Sequence, residues 1–286
     1  MQYVINRSPY ASEHRVLSAN ALKIIAAIAM VLDHVAVHLI PADMFTLHLI
    51  FRLIGRIAFP IFAYFVAEGC RYTRHKLRRF LIILGCGVLF EAVFLGFTII
   101  RAGGSLFLDQ FAGDLPGLLI FVRSYFLEGN IFLTLACSVL LIHILQDVKK
   151  KLYEKKWLHA VLMCLAFAAA SALIVGFNYL MNGLMYGVFG VALPVLVAIP
   201  DYEEGRTPAF FKKLDHPLIK IAFFALGLVV LAMESDMKVV QTFGLLALVP
   251  MLFYNGKPGK AKLKWWFYAF YPAHLIIIWL IGMLIK

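Results

Sequence analysis

Several residues capable of chemistry stand inside one apolar run, LKIIAAIAMVLDHVAVHLI at residues 22–40: Lys23, Asp33, His34 and His38. Charged groups at membrane depth cost several kcal/mol, so their presence there marks a site. Lys23 and His34 are eleven positions apart, which returns to nearly the same helix face. At the rise of an α-helix that separation is about 16 Å along the axis. A cation near one membrane face and an imidazole deeper on the same stripe suit a long ligand. Its anionic end would stay at the surface while its reactive end reached inside. An imidazole in that place can act as a general base toward an attacking amine or hydroxyl.

Asp33 precedes His34 by about 100° around the helix, so it pairs elsewhere. Arg52 and Arg56 are one turn apart on one face of the next apolar run. They either clamp a substrate or orient Asp33 or Glu91; Arg52 is also close enough to the run's end to snorkel to the interface. Glu68 stands just before a basic stretch containing Arg71, Arg74 and Arg78. Those residues either anchor a cytoplasmic loop or hold a nucleotide's phosphates together with Lys23. His34 and His38 have a spacing that can hold zinc, but no third and fourth ligand stand nearby, so no metal is expected. His274, in WWFYAFYPAHLIII, follows Pro272, which is expected to break the helix and aim the ring inward.

The elements that must position these residues are membrane helices. The chain has 286 residues, 63% of them hydrophobic and 15% charged, with a mean hydropathy of +0.87. Soluble domains are about half apolar and about a quarter charged, so the chain reads as an all-α polytopic membrane protein. The apolar runs predict about nine transmembrane helices: 22–40, 47–69, 77–100, 131–145, 157–177, 183–199, 217–233, 239–254 and 265–284. Pro60 is expected to kink the second. Residues 101–129 carry too many Gly, Asp and Pro interruptions to span; they read as an extracytoplasmic interfacial or re-entrant segment with a short amphipathic helix. The whole of 1–286 reads as a single transmembrane domain, with 1–19 a polar cytoplasmic segment and not a secretory signal.

The net charge of +11 follows the positive-inside pattern. The loops at 70–80 and 146–156 each hold five Lys or Arg, and the 255–264 loop holds four. The 200–216 loop holds three, balanced by acids, and the alternate loops at 41–46, 178–182 and 234–238 hold almost none. This alternation predicts a cytoplasmic N-terminus, an outside C-terminus and an inner or plasma membrane location, with membrane lipids as neighbours. It also accounts for the positive charge without nucleic acid. On this topology Asp33, His34, Arg52, Arg56, Glu91 and His274 fall at similar depth. The four cysteines form no CxxC pair and read as core residues.

Taken together, the Lys23–His34 spacing resembles the [RK]-x10-H motif of the acyltransferase-3 membrane family. The pieces LKIIAAIAMVLDHV, FRLIGRIAFPIFAYFVAEG, GNIFLTLA, YGVFGVALPVL and FYNGKPGKAKLKWWFYAFYPAHLIII occur in order and resemble the TraX family more specifically. That resemblance implies a membrane acyltransferase taking an acyl group, expected to be acetyl, from acyl-CoA. TraX is associated with N-terminal acetylation of conjugative pilin. The acceptor would be a peptide, glycan or lipid near the outer half of the membrane. By the same resemblance His34 is the catalytic histidine and Lys23 lies by the donor's phosphates. Where the family often has an acidic residue before YG, this chain departs from it and reads GFNYLMNGLMYG. A transporter or flippase using the buried charges as a path is the competing expectation. It would show internal repeats, which the sequence lacks.

Overall fold

A computed structural model describes residues 16–41, 43–101, 110–125, 129–234, 238–261 and 263–285. Residues 1–15 of the expected N-terminal segment, and 102–109 and 126–128 of the expected re-entrant segment, lie outside these. Among the described residues the chain is helical, with two isolated bridges and no strand. It clusters into two compact units. The first takes in the chain up to Glu68, Leu196–Tyr202 and the chain from Ala209 onward; the second is Gly69–Val195 with Glu203–Pro208.

The first unit opens with α1, Ala19–Leu39. Ser18 caps it, its hydroxyl accepting from the Ala21 amide, and Pro41 ends it. Its buried face is made of Leu22 and the small residues Ala26, Ala27, Ala29 and Ala36, which let neighbouring backbones approach closely. The expected second span is broken into α2, Phe45–Gly55, and α3, Ala58–Arg71. Pro60 has no N–H for the carbonyl of Arg56, so the α pattern fails there. The amides of Arg56 and Ile57 instead reach back three residues, to Leu53 and Ile54.

The second unit holds α4, Lys76–Arg101, α5, Leu115–Tyr125, α6, Ile131–Tyr153, α7, Trp157–Met181, and most of α8, Gly187–Ala198. α5 is the short helix expected within 101–129. Asn130 caps α6: its side chain accepts from the amides of Phe132 and Leu133 and donates to the carbonyl of Gly87 on α4. Thr134 and Ser138 continue that stripe, donating to the carbonyls of Met185 and Val191. α6 and the stretch from Met185 into α8 are thus held together through buried polar groups.

The chain returns to the first unit through α9, Phe210–Leu214, α10, Pro217–Glu234, and α11, Lys238–Thr242. A 3₁₀ turn at Phe243–Ala247 and α12, Leu248–Leu252, follow. Pro250 cannot donate to the carbonyl of Leu246, which favours the tighter winding before it. Gly244 of that turn faces the broken backbone of α2–α3: a Cβ there would meet the Arg56 carbonyl at 3.6 Å and Pro60 Cγ at 3.7 Å. The last helix, α13, is Lys264–Ile285. It continues through Pro272, contrary to the break expected from the sequence. A proline removes one i→i−4 bond, here that of the Tyr268 carbonyl, and neighbouring turns retain the rest.

Among the described residues six helical segments are long and apolar enough to cross a membrane: Ala19–Leu39, Phe45–Arg71, Lys76–Gly96, Ile131–Tyr153, Trp157–Met181 and Trp265–Ile285. By that measure this is a membrane protein. The other three expected spans correspond to shorter apolar helical stretches, Gly187–Ala198, Pro217–Met233 and Val239–Leu252.

Candidate functional site

The residues singled out on α1 and α2 meet in the first unit. The Asp33 carboxylate accepts from both arginines, with Arg52 Nη1 at 3.1 Å on Oδ1 and Arg56 Nη2 at 2.6 Å on Oδ2. Local sequence makes this possible in two ways. Gly55 lies against Asp33 so closely that a Cβ there would overlap the aspartate side chain. The broken turn ahead of Pro60 leaves Arg56 at the end of α2, its Nε donating to the Arg52 carbonyl and its outer nitrogen directed at Asp33. One carboxylate between two guanidinium groups leaves a net positive charge. Arg52 also keeps N–H donors beyond the one given to Asp33.

His34, one residue along α1, faces another way. Its ring centroid lies 5.1 Å from that of His274 on α13 and 6.1 Å from that of His38. The His34 and His38 rings are nearly parallel. Among the described residues, no three His, Cys, Asp or Glu are grouped to hold a metal. His274 is 5% exposed. It ends a ladder of stacked rings on α13, Trp266 on Phe270 at 4.6 Å and Phe270 on His274 at 5.0 Å, with Tyr271 edge-on. Its Nδ1 is 2.9 Å from the Phe270 carbonyl, and its buried Nε2 has no hydrogen-bond partner.

A second polar level lies lower on α1. The Lys23 ammonium sits 5.0 Å from the Phe65 ring and 5.9 Å from the Phe267 ring, both cation–π distances. Glu68 is 7% exposed and accepts from the Tyr254 hydroxyl at 2.8 Å. The charges of Lys220, Asp201 and Lys23 all act on it. Lys220 is 1% exposed, pairs with Asp201 at 2.7 Å and lies over the Tyr64 ring at 5.5 Å. Lys220, Asp201 and Tyr254 escaped the sequence reading. The available signal was a single lysine four positions into the apolar run PLIKIAFFALGLVV.

Contacts along α1 and α13 run in step: Lys23 with Phe267, His34 with His274, and Leu39 with Gly282. The first and last helices are therefore parallel. The remaining candidates belong to the second unit. Glu91 is half-buried on α4, Arg71 ends α3 with its guanidinium 5.8 Å from the Tyr72 ring, and Arg74 and Arg78 are exposed.

The family model for the TraX protein matches residues 18–282, which takes in α1 through most of α13 and every residue of both polar levels. This chain belongs to the TraX family. A relative, the probable fimbrial assembly protein FimC, serogroup H1, of Dichelobacter nodosus, is 26% identical over 273 residues, covering 91% of this chain and 94% of that protein. No solved structure matches.

Proposed function

We propose that this TraX-family protein is a membrane-embedded acyltransferase, moving an acetyl group from acetyl-CoA to the N-terminal amine of a pilus or fimbrial subunit. The single observation that carries this reading is the contact of His34 with His274, on a helix whose lower end bears Lys23. The donor's phosphates would stay at the level of Lys23. The pantetheine arm would bring the thioester up to the level of His34. The acceptor loses a proton to an imidazole as it attacks the thioester carbon. Arg52, with donors beyond those bound to Asp33, would stabilise the oxyanion that forms. A peptide acceptor is favoured by the FimC relative, whose name places it in fimbrial assembly.

The membrane arrangement proposed for this chemistry is nine crossings, with the N-terminus in the cytoplasm of a cell-membrane protein. Parallel first and last helices support it. If only the six long segments crossed, alternation of direction would make the first and last antiparallel. Crossing by an odd number of the shorter apolar stretches accommodates the parallel pair, and all three together give nine. The kinship with acyltransferase-3 enzymes suggested by Lys23 and His34 belongs to the same proposal.

The test is mass spectrometry of pilus subunit N-termini from cells with and without the gene, joined to thiol release from acetyl-CoA by the purified protein. Acetylated N-termini only with the gene, and thiol release that depends on a subunit peptide, are expected. Movement of a substrate across vesicles with no thioester cleavage would favour a transporter instead.

A further inference from the structure

The two imidazoles at the upper level are not equivalent. A backbone carbonyl only accepts, so the 2.9 Å contact between His274 Nδ1 and the Phe270 oxygen requires Nδ1 to carry the hydrogen. In a neutral imidazole that leaves the lone pair on Nε2. This nitrogen is buried and has no hydrogen-bond partner. The ring cannot easily turn away, because Phe270 stacks on one side at 5.0 Å and Tyr271 meets it edge-on at 5.6 Å. A buried acceptor without a donor is costly unless another group completes it. No comparable anchor holds His34, which is half-buried and meets His274 and His38 only through its ring faces and edges.

We infer that His274 is the general base of the acyl transfer, its fixed Nε2 receiving the acceptor's proton, with His34 beside it as the second imidazole of a relay. This rests on the acyl-transfer reading above. The acceptor's N–H or O–H proton moves to His274 Nε2 as its nitrogen or oxygen bonds to the thioester carbon. The carbon–sulfur bond then breaks, and the thiolate takes a proton handed on through His34. The products are the acylated acceptor and free CoA thiol, so no proton or electron is left over. The anchor at Nδ1 plays the part a carbonyl or carboxylate plays for histidine bases generally: it fixes the tautomer and aims the other nitrogen.

The test uses the purified full chain in lipid nanodiscs, with two readouts. The first is acetyl-CoA-dependent acetylation of a pilin N-terminal peptide by wild type, His274→Asn and His274→Gln. The Asn amide can replace Nδ1–H at the Phe270 carbonyl but supplies no base at Nε2. H274N is therefore expected to fold with wild-type thermal stability and to lose at least about 100-fold in kcat, the usual contribution of a general base. The second is imidazole ¹⁵N NMR of histidine-labelled protein, with the resonance that disappears in H274N assigned to His274. It should show a protonated Nδ1 and a bare Nε2, and should shift when His34 is replaced by Gln. Wild-type turnover in H274N, or an Nε2–H tautomer, overturns the inference and leaves the acyl-transfer reading standing. A wild-type protein that acetylates nothing overturns both.

Discussion

Asp33 and Arg56 form a 2.6 Å ion pair where a helix of the TraX fold is interrupted. The interruption and the pair have one origin. Pro60 removes the donor for the Arg56 carbonyl, the helix pauses, and Gly55 lets α2 close against α1 at the level of Asp33. The carboxylate is fixed beside His34, so Asp33 and its arginines shape the charge around the imidazoles, which on the proposed reading keep their nitrogens for the chemistry.

Removing one member of that trio should cost more than removing the pair. Asp33→Ala leaves two guanidinium groups facing each other with little solvent, and loss of one partner of a buried ion pair costs about 3–5 kcal/mol. The combined variant Asp33→Ala with Arg56→Met should recover much of that loss. Thermal unfolding in nanodiscs measures both; a single variant as stable as wild type would remove the pair from the fold's support.

Gly55→Val tests the close approach itself. A branched side chain there must push α2 from Asp33, and overpacking of this kind costs about 1–3 kcal/mol. Cross-linking between cysteines placed on α1 and α2 should slow accordingly. Unchanged cross-linking and stability would contradict the packing described for α1 and α2.

The lower level makes a separate prediction. Lys220 is buried against Asp201, so Lys220→Met should destabilise by about 3–5 kcal/mol, and Asp201→Asn added to it should restore part of the loss. Glu68 feels the same charges, so Glu68→Gln in the Lys220→Met background should also be less harmful than Lys220→Met alone. Denaturant midpoints measured in one detergent check all four proteins.

Topology is open to a direct reading. The proposed topology, with parallel α1 and α13 and the basic loops inside, puts the two ends of the chain on opposite sides of the membrane. A reporter active only in the cytoplasm should fluoresce when fused before Met1 and stay dark after Lys286. Signal at both ends would refute the odd number of crossings.

The sequence disclosed the upper level more fully than the lower. The expectation that Asp33 pairs with an arginine of the second span, and that His34, Arg52, Arg56 and His274 share a depth, followed from helical periodicity and loop charge, and the first unit contains that cluster. Glu91 had the same depth on paper, but depth does not specify azimuth, and it belongs to the other unit. Periodicity cannot show which neighbour a lysine faces, so Lys220 passed as part of an apolar run and Lys23 carried no hint of its aromatic partners. Proline was overvalued at Pro272 and correctly valued at Pro60. At Pro60 the break is held by the Arg56–Asp33 pair. The shortness of α8 and the 3₁₀ turn in the eighth segment also lay beyond hydropathy, which records apolar length and not winding.

The most direct measurement is transfer of radiolabel from [¹⁴C]acetyl-CoA to a pilin N-terminal peptide by purified wild type and His34→Ala, both checked for folding by thermal unfolding. The account predicts labelled peptide with wild type and a fall of at least about 100-fold with the variant. Equal labelling by the two proteins would contradict it.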